Sequence, residues 1–206
     1  MYERILVPTD GSDGSAHVAL QAIDLAEQYD AEIHSLYVVS DDLLSRLDLK
    51  SHDAIEEEGE RAVKRVQSMA RAHGVDAVTE LREGDPADTI LDYADEIEAD
   101  LIVSGTHGRS GVERRIIGSV AERLVRHAAC PVLTVRLPET DVTVENADHA
   151  EDLATKALAN DGFAADVTGV ERQLSVWVVD AEDDDGTSLV VYVDPVTQRT
   201  SVVKRS

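Results

Sequence analysis

Short apolar runs alternate with amphipathic helical stretches from the N-terminus to about residue 137, and this alternation restricts the fold more than any other feature of the chain. Arg4 to Val7 is such a run, closed by Pro8 and followed by Thr9-Asp10-Gly11-Ser12; the residues after it place Val18, Ala22, Leu25 and Tyr29 on one helical face. Ile33 to Val39 predicts a second strand, and Ile55, Ala62, Val66, Met69 and Ala70 recur at helical spacing through about His73. Val75 to Leu81 predicts a third strand. Asp85-Pro86 then supplies an N-cap and a first-turn proline for a helix carrying Ile90, Leu91, Ala94 and Ile97. Leu101 to Val103 reads as a buried strand and Gly105 to Ile117 as a long loop. Gly118-Ser119 opens a helix with Val120, Leu124 and Val125 inward, and Pro131 to Val135 is a fifth strand. Parallel neighbours need right-handed crossovers, so βαβαβαβαβ predicts an α/β domain: an open, doubly wound, five-stranded parallel sheet with helices on both faces.

The rhythm stops at Leu137-Pro138-Glu139-Thr140, which divides the chain near residue 140 into domains at 1–138 and 146–206. The second part predicts a small α+β domain. Ala147 to Asn160 is helical with Leu153, Ala157 and Leu158 inward, and Asp161-Gly162 ends it. Four β-branched runs follow: Val167 to Leu174, Ser175 to Val179, Leu189 to Val193 and Thr200 to Val203, with a tight hairpin signal at Asp185-Gly186. Trp177 is expected in the core of this small domain. Asp183-Asp184-Asp185 lacks the spaced ligands and terminal Glu of a calcium loop and reads as a solvated hairpin tip.

Chemistry concentrates in two places that a doubly wound sheet brings together. Glycines after the fourth strand, Gly105 and Gly108, let backbone amides approach a ligand without Cβ obstruction, and the helix opened by Gly118-Ser119 presents unpaired N–H groups to phosphate oxygens. Pro8-Thr9-Asp10-Gly11-Ser12 ends the first strand and faces that loop if strands one and four are neighbours at the topological switch point. His107 has no acid partner at fixed spacing and no nucleophile motif beside it, so it reads as a loop residue and no catalytic residue is assigned. Arg109 is the favoured phosphate-side cation of its loop.

Charge narrows the partners. Lys and Arg total 19 against 42 Asp and Glu, a net charge of −23, which opposes any protein that holds nucleic acid by phosphate neutralisation. Four Lys stand against fifteen Arg with carboxylates on every predicted helix, a pattern expected of a salt-rich, halophilic cytoplasm where screening permits such self-repulsion. No apolar run approaches membrane-spanning length, and the N-terminus runs straight into a strand without a basic leader, so a cytoplasmic protein free of membrane is expected. The lone Cys130, between apolar neighbours, is read as a small buried hydrophobe.

Ile5-Leu6-Val7-Pro8-Thr9-Asp10-Gly11-Ser12, Gly105-Thr106-His107-Gly108, Gly118-Ser119-Val120-Ala121-Glu122 and Cys130-Pro131-Val132-Leu133-Thr134-Val135 resemble the universal stress protein family over residues 1 to about 137. In that family Gly, two residues, Gly, nine residues, Gly, then Ser or Thr marks ATP-binding members. The resemblance implies an adenine nucleotide alpha-hydrolase-like fold that takes ATP, with Mg²⁺. It places Pro8, Thr9 and Asp10 beside the nucleoside, Val38 near the base, and Gly105, Thr106, His107, Gly108 and Arg109 along ribose and phosphates. Gly118, Ser119 and Val120 would bind the phosphates. Ala121 stands where some relatives have a hydroxyl, at a cost of about 1 kcal/mol. A homodimer through Pro131 to Val135 is also implied. The helix and the segments Trp177-Val178-Val179 and Val191 to Thr197 resemble a PepSY-type domain over 147–204, which implies an unidentified protein partner; Gln198 stands where such domains often carry Gly. The resulting expectation is an ATP-binding regulatory or stress-response protein. The alternatives are a slow ATPase and a nucleotide-free adaptor working through its C-terminal domain.

Overall fold

The structure, a computed structural model, describes residues 1–12, 14–41, 49–106, 118–136, 143–173 and 176–205. The chain forms two compact units, Met1–Leu137 and Pro138–Ser206.

In the first unit five strands run β1 (Arg4–Pro8), β2 (Glu32–Ser40), β3 (Ala77–Gly84), β4 (Leu101–Gly105) and β5 (Val132–Val135). All pair in parallel in the order β3-β2-β1-β4-β5, so the direction of winding reverses between β1 and β4. The helices are α1 (Ser15–Tyr29), α2 (Leu49–Ala72), α3 (Pro86–Glu96) and α4 (Ser119–His127). α1 packs with α2, and α3 with α4. Strand alternation feeds both layers: Leu36 joins Leu6, Ile90, Ile102 and Leu124 in one core, while Tyr37 and Val39 join Ala62 and Val63 in another. Leu6, Leu36, Ile102 and Leu124 are wholly buried, each worth about 1.5–3 kcal/mol.

Local chemistry sets the helix ends. Asp85 caps α3, its Oδ1 accepting from the Ala87 and Asp88 N–H groups at 3.1 Å each, with Pro86 at the first helical position. α3 is also tied down at its other end. The His34 ring lies between Glu32 Oε2 at 3.0 Å and the Tyr93 hydroxyl at 3.1 Å, and Arg82 sits 4.3 Å above the Tyr93 ring while bonding Glu80 and Glu96. The bond to Glu96 raises the Arg82 pKa, and burial raises that of the Tyr93 hydroxyl.

Three expectations are corrected. On α1 Val18 and Ala22 are buried, but Leu25 is half-buried and Tyr29 exposed; the inward face is carried by Ala16, Ala19, Leu20, Ile23 and Ala26. Val125 of α4 faces outward, 53% exposed, and Ala121 takes the inward place beside Leu124. The third strand begins at Ala77, because Val75 belongs to the end of α2: its N–H bonds Ala70 O, the Gly74 N–H bonds Arg71 O, and Gly74 has φ +74°. This is a Schellman closure, in which the residue after the left-handed glycine is an apolar cap. Cys130 is half-buried against the α3–α4 core, and burial pushes its thiol pKa up, as an inert hydrophobe requires.

The second unit is one helix, α5 (Ala147–Asn160), on an antiparallel sheet of β6 (Ala165–Gln173), β7 (Val176–Asp183), β8 (Ser188–Val193) and β9 (Thr200–Lys204) in chain order. Ala150, Ala154 and Leu158 of α5 meet Trp177, Val179, Val191 and Val193, and the Trp177 indole N–H donates to Val144 O at 2.9 Å. The hairpin expected at Asp185-Gly186 forms with Gly186 at φ +78°. Asp183 Oδ1 accepts from the Asp185 and Thr187 N–H groups, so this acid shapes the turn. The next hairpin is organised by Asp194, fully buried, which accepts from the Val196 and Thr197 N–H groups and from the Thr197 hydroxyl. Gln198 occupies the left-handed region there, at φ +60°, which explains why a glycine suits that place.

Among the described residues no helix is long and apolar enough to cross a membrane, and no group of three His, Cys, Asp or Glu side chains is arranged to hold a metal.

Candidate functional site

The carboxyl ends of β2, β1 and β4 open into a cleft of about 310 Å³. It lies where an open α/β sheet leaves a crevice, at the strands flanking the reversal of winding. Pro8, Thr9 and Asp10 continue from β1, Val38 and Ser40 end β2, and Ser104, Gly105 and Thr106 end β4; all line the cleft. The first turn of α4 adds Gly118, Ser119, Val120 and Ala121. Of the twelve residues expected at the site, nine therefore share one cavity. His107, Gly108 and Arg109 lie outside the described residues.

Backbone hydrogen bonds fix the floor. Thr9 N–H donates to Leu36 O at 2.8 Å, locking the β1 exit against β2, and Thr106 N–H donates to Val135 O at 3.0 Å. The Thr9-to-Ser12 loop is self-bonded: Gly11 N–H donates to Thr9 Oγ1 and Ser12 N–H to Asp10 Oδ1. Gly11 has φ +72°, so this turn demands glycine.

Gly118 differs. Its φ of −63° and ψ of 155° suit any residue, so the backbone does not require a glycine there. Its N–H donates to Thr106 O at 2.8 Å, and as N-cap it gives α4 no side-chain bond. The first turn of α4 thus lines the cleft and brings the positive end of the helix dipole to it. α1 also starts at the cleft without a side-chain cap, from Gly14, and its first turn holds no acid. Among the described lining residues Asp10 is the one that carries charge. The arrangement suits an anion at α4 and an apolar group at β2, where Val38 packs with Ile90 and Tyr37 with Ile55.

Sequence reasoning missed several contributors: Ser15 and Val18 from α1, Tyr37 and Val39 from β2, Ile55 from α2, and Pro86 and Ile90 from α3. Residues at the carboxyl end of β2 carried a usable signal, because the strands beside the switch point border the crevice at their carboxyl ends. Val18, Ile55 and Ile90 carried none, since each reads as an ordinary helical core residue.

The model of the "Universal stress protein family" matches residues 1–136. A universal stress protein of Methanocaldococcus jannaschii is 42% identical over 146 residues, covering 68% of this chain and 86% of that protein. Among solved structures, the universal stress protein UspA from Lactobacillus plantarum superposes with a TM-score of 0.60 at 32% identity, covering 66% of this chain and 98% of the other. The universal stress protein from Archaeoglobus fulgidus in complex with dAMP gives 0.53 at 25% identity, covering 65% and 97%. A universal stress protein in complex with cAMP gives 0.52 at 27%, covering 66% and 97%.

Proposed function

Because the chain belongs to the universal stress protein family, we propose that its first unit binds ATP in the cleft between the β1 exit and α4, and acts as a nucleotide-dependent regulatory protein. The observation that carries this is Gly118, a glycine the backbone does not need at the open N-terminus of α4. Space for a phosphate is the reading that accounts for it. Strands lie about 4.8 Å apart, so the ends of β2 and β4 stand about 10 Å apart across β1. A nucleotide laid over them puts phosphates on Ser119 and Val120, ribose over Thr9, Asp10 and Gly105, and its base against Val38. The binding of dAMP and of cAMP by similar proteins supports an adenine nucleotide. ATP is favoured by the Gly105, Gly108, Gly118-Ser119 spacing. Asp10, with a carboxylate in the cleft, is the residue that would hold Mg²⁺ accompanying the phosphates. For residues 146–206 the proposal is a PepSY-like partner-binding module, supported by the fold of one helix on an antiparallel sheet.

Calorimetry with ATP, AMP and cAMP on the full chain tests the site. ATP should bind the native protein and fail to bind Gly118→Val, whose side chain fills the phosphate space while its backbone remains relaxed. Equal affinity in the variant would remove the site assignment, and a native protein that takes none of the three would remove the function.

A further inference from the structure

Two of the helices that line the cleft, α3 and α4, are bridged by a guanidinium. Arg123, on the second turn of α4, reaches across to α3: Nη1 donates to Asp85 Oδ1 at 2.8 Å and Nη2 donates to Asp88 Oδ1. Asp85 is the cap of α3, so the carboxylate oxygen that starts this helix also holds its neighbour. On the α3 side Pro86 and Ile90 line the cleft, and on the α4 side Ser119, Val120 and Ala121 do. Each anchor of the pair lies within a few residues of a cleft-lining one.

α4 needs such a hold. It is nine residues long, below the length at which a helix is stable by itself. Its inner side is held by Ala121 and Leu124 and its start by the Gly118 N–H bond to Thr106 O, so the outer side is where a further contact restricts rotation of the first turn. A second charged pair on α4, Glu122 with Arg126, lies within the helix and cannot orient it against anything.

We propose that Arg123 is a positioning residue for the nucleotide site: its paired bonds to Asp85 and Asp88 hold the first-turn amides of α4 at a set distance and angle from the α3 wall. This rests on the reading of the cleft as a nucleotide site. The three side chains are about half exposed, so the pair adds little to folding, and its effect falls on the aim of the amides, where small displacements weaken binding.

Positioning and simple charge attraction make opposite demands. If Arg123 merely attracted phosphate, removing the nearby carboxylate of Asp88 would tighten binding and Arg123→Lys would preserve it. A clamp predicts that Arg123→Gln, Arg123→Lys and Asp88→Ala each weaken ATP binding, by up to about fivefold, because the ammonium of Lys cannot span two carboxylates. It also predicts faster hydrogen exchange at the Ser119, Val120 and Ala121 amides in the nucleotide-free variants, with melting nearly unchanged. Tighter or unaltered binding in Asp88→Ala, or unaltered exchange at those amides, would overturn the proposal. Should the native protein bind no nucleotide, the proposed function fails, while the exchange measurement still decides whether Arg123 positions α4.

Discussion

Replacing Gly59 by alanine sets two well-measured effects against each other at the back of the cleft. Gly59 lies inside α2, and an alanine in a helix interior is ordinarily more stable than glycine by about 1 kcal/mol. Here a Cβ would stand 2.6 Å from Leu81 Cδ1, 2.7 Å from Tyr37 Cδ1 and 3.0 Å from Tyr37 Cε1. The Leu81 methyl is the end of a flexible chain and can turn aside. The Tyr37 ring cannot, being 4% exposed and packed with Val39, Ala62 and Val63. Overpacking of this kind costs about 1–3 kcal/mol, so Gly59→Ala should be destabilised by about 1 kcal/mol net. The displaced ring also borders the cleft, so ATP affinity should fall with stability. Urea unfolding followed by far-ultraviolet circular dichroism is the assay, since the single tryptophan, Trp177, belongs to the second unit. A variant stabilised by the full helix-propensity gain, with unaltered ATP affinity, would show that Tyr37 does not rest on Gly59 as described.

Four further outcomes are expected. Gln198→Gly should raise the unfolding free energy read from urea titration of Trp177 fluorescence, by about 0.5–1 kcal/mol, since it relieves a left-handed residue at some entropic cost; a lower midpoint would contradict the relief. Asp100 Oδ2 accepts from the Glu3 and Arg4 N–H groups, which hold its pKa below the usual carboxylate range, so its contribution is present above the unfolded pKa and lost as pH falls through the folded one. Asp100→Ala should therefore cost about 1 kcal/mol at pH 7 and progressively less below about pH 4, and a pH-independent difference would exclude this origin. With a net charge of −23, melting should rise between 0.1 and 1 M KCl as the Debye length shrinks from about 10 to about 3 Å, and flat melting would remove the halophile reading. β5 is an outer strand with Leu133 40% exposed, so we propose a homodimer through Val132–Val135; Leu133→Pro should sediment as a monomer, and unchanged dimers would exclude this edge.

What could be read in the sequence was the chemistry that acts within a few residues. Asp85-Pro86 announces the start of α3 because both the cap and the ring act on their immediate neighbours, and Ala147–Asn160 was legible to the residue because Asp161-Gly162 ends it locally. Orientation was less legible. The stripe through Val18, Ala22, Leu25 and Tyr29 fails at Leu25 and Tyr29 because the wide inward face of α1 is filled largely by alanines, whose burial is decided by how closely a sheet approaches. Val75 reads as strand because the apolar cap of a Schellman closure and the first residue of a strand look alike without coordinates. The same division runs through the cleft. The end of it proposed for phosphate is built from contiguous motifs after β1 and β4, whose glycines and hydroxyls have few other uses, so eight of the nine expected residues in the cleft come from them. Its apolar end is assembled from residues far apart in the chain, Tyr37, Ile55 and Pro86 among them, each ordinary in its own segment. In the proposed nucleotide reading, selectivity for the base would rest on packing between helices and strands, which is why a single methyl group at Gly59 is expected to be felt by a ligand that never touches it.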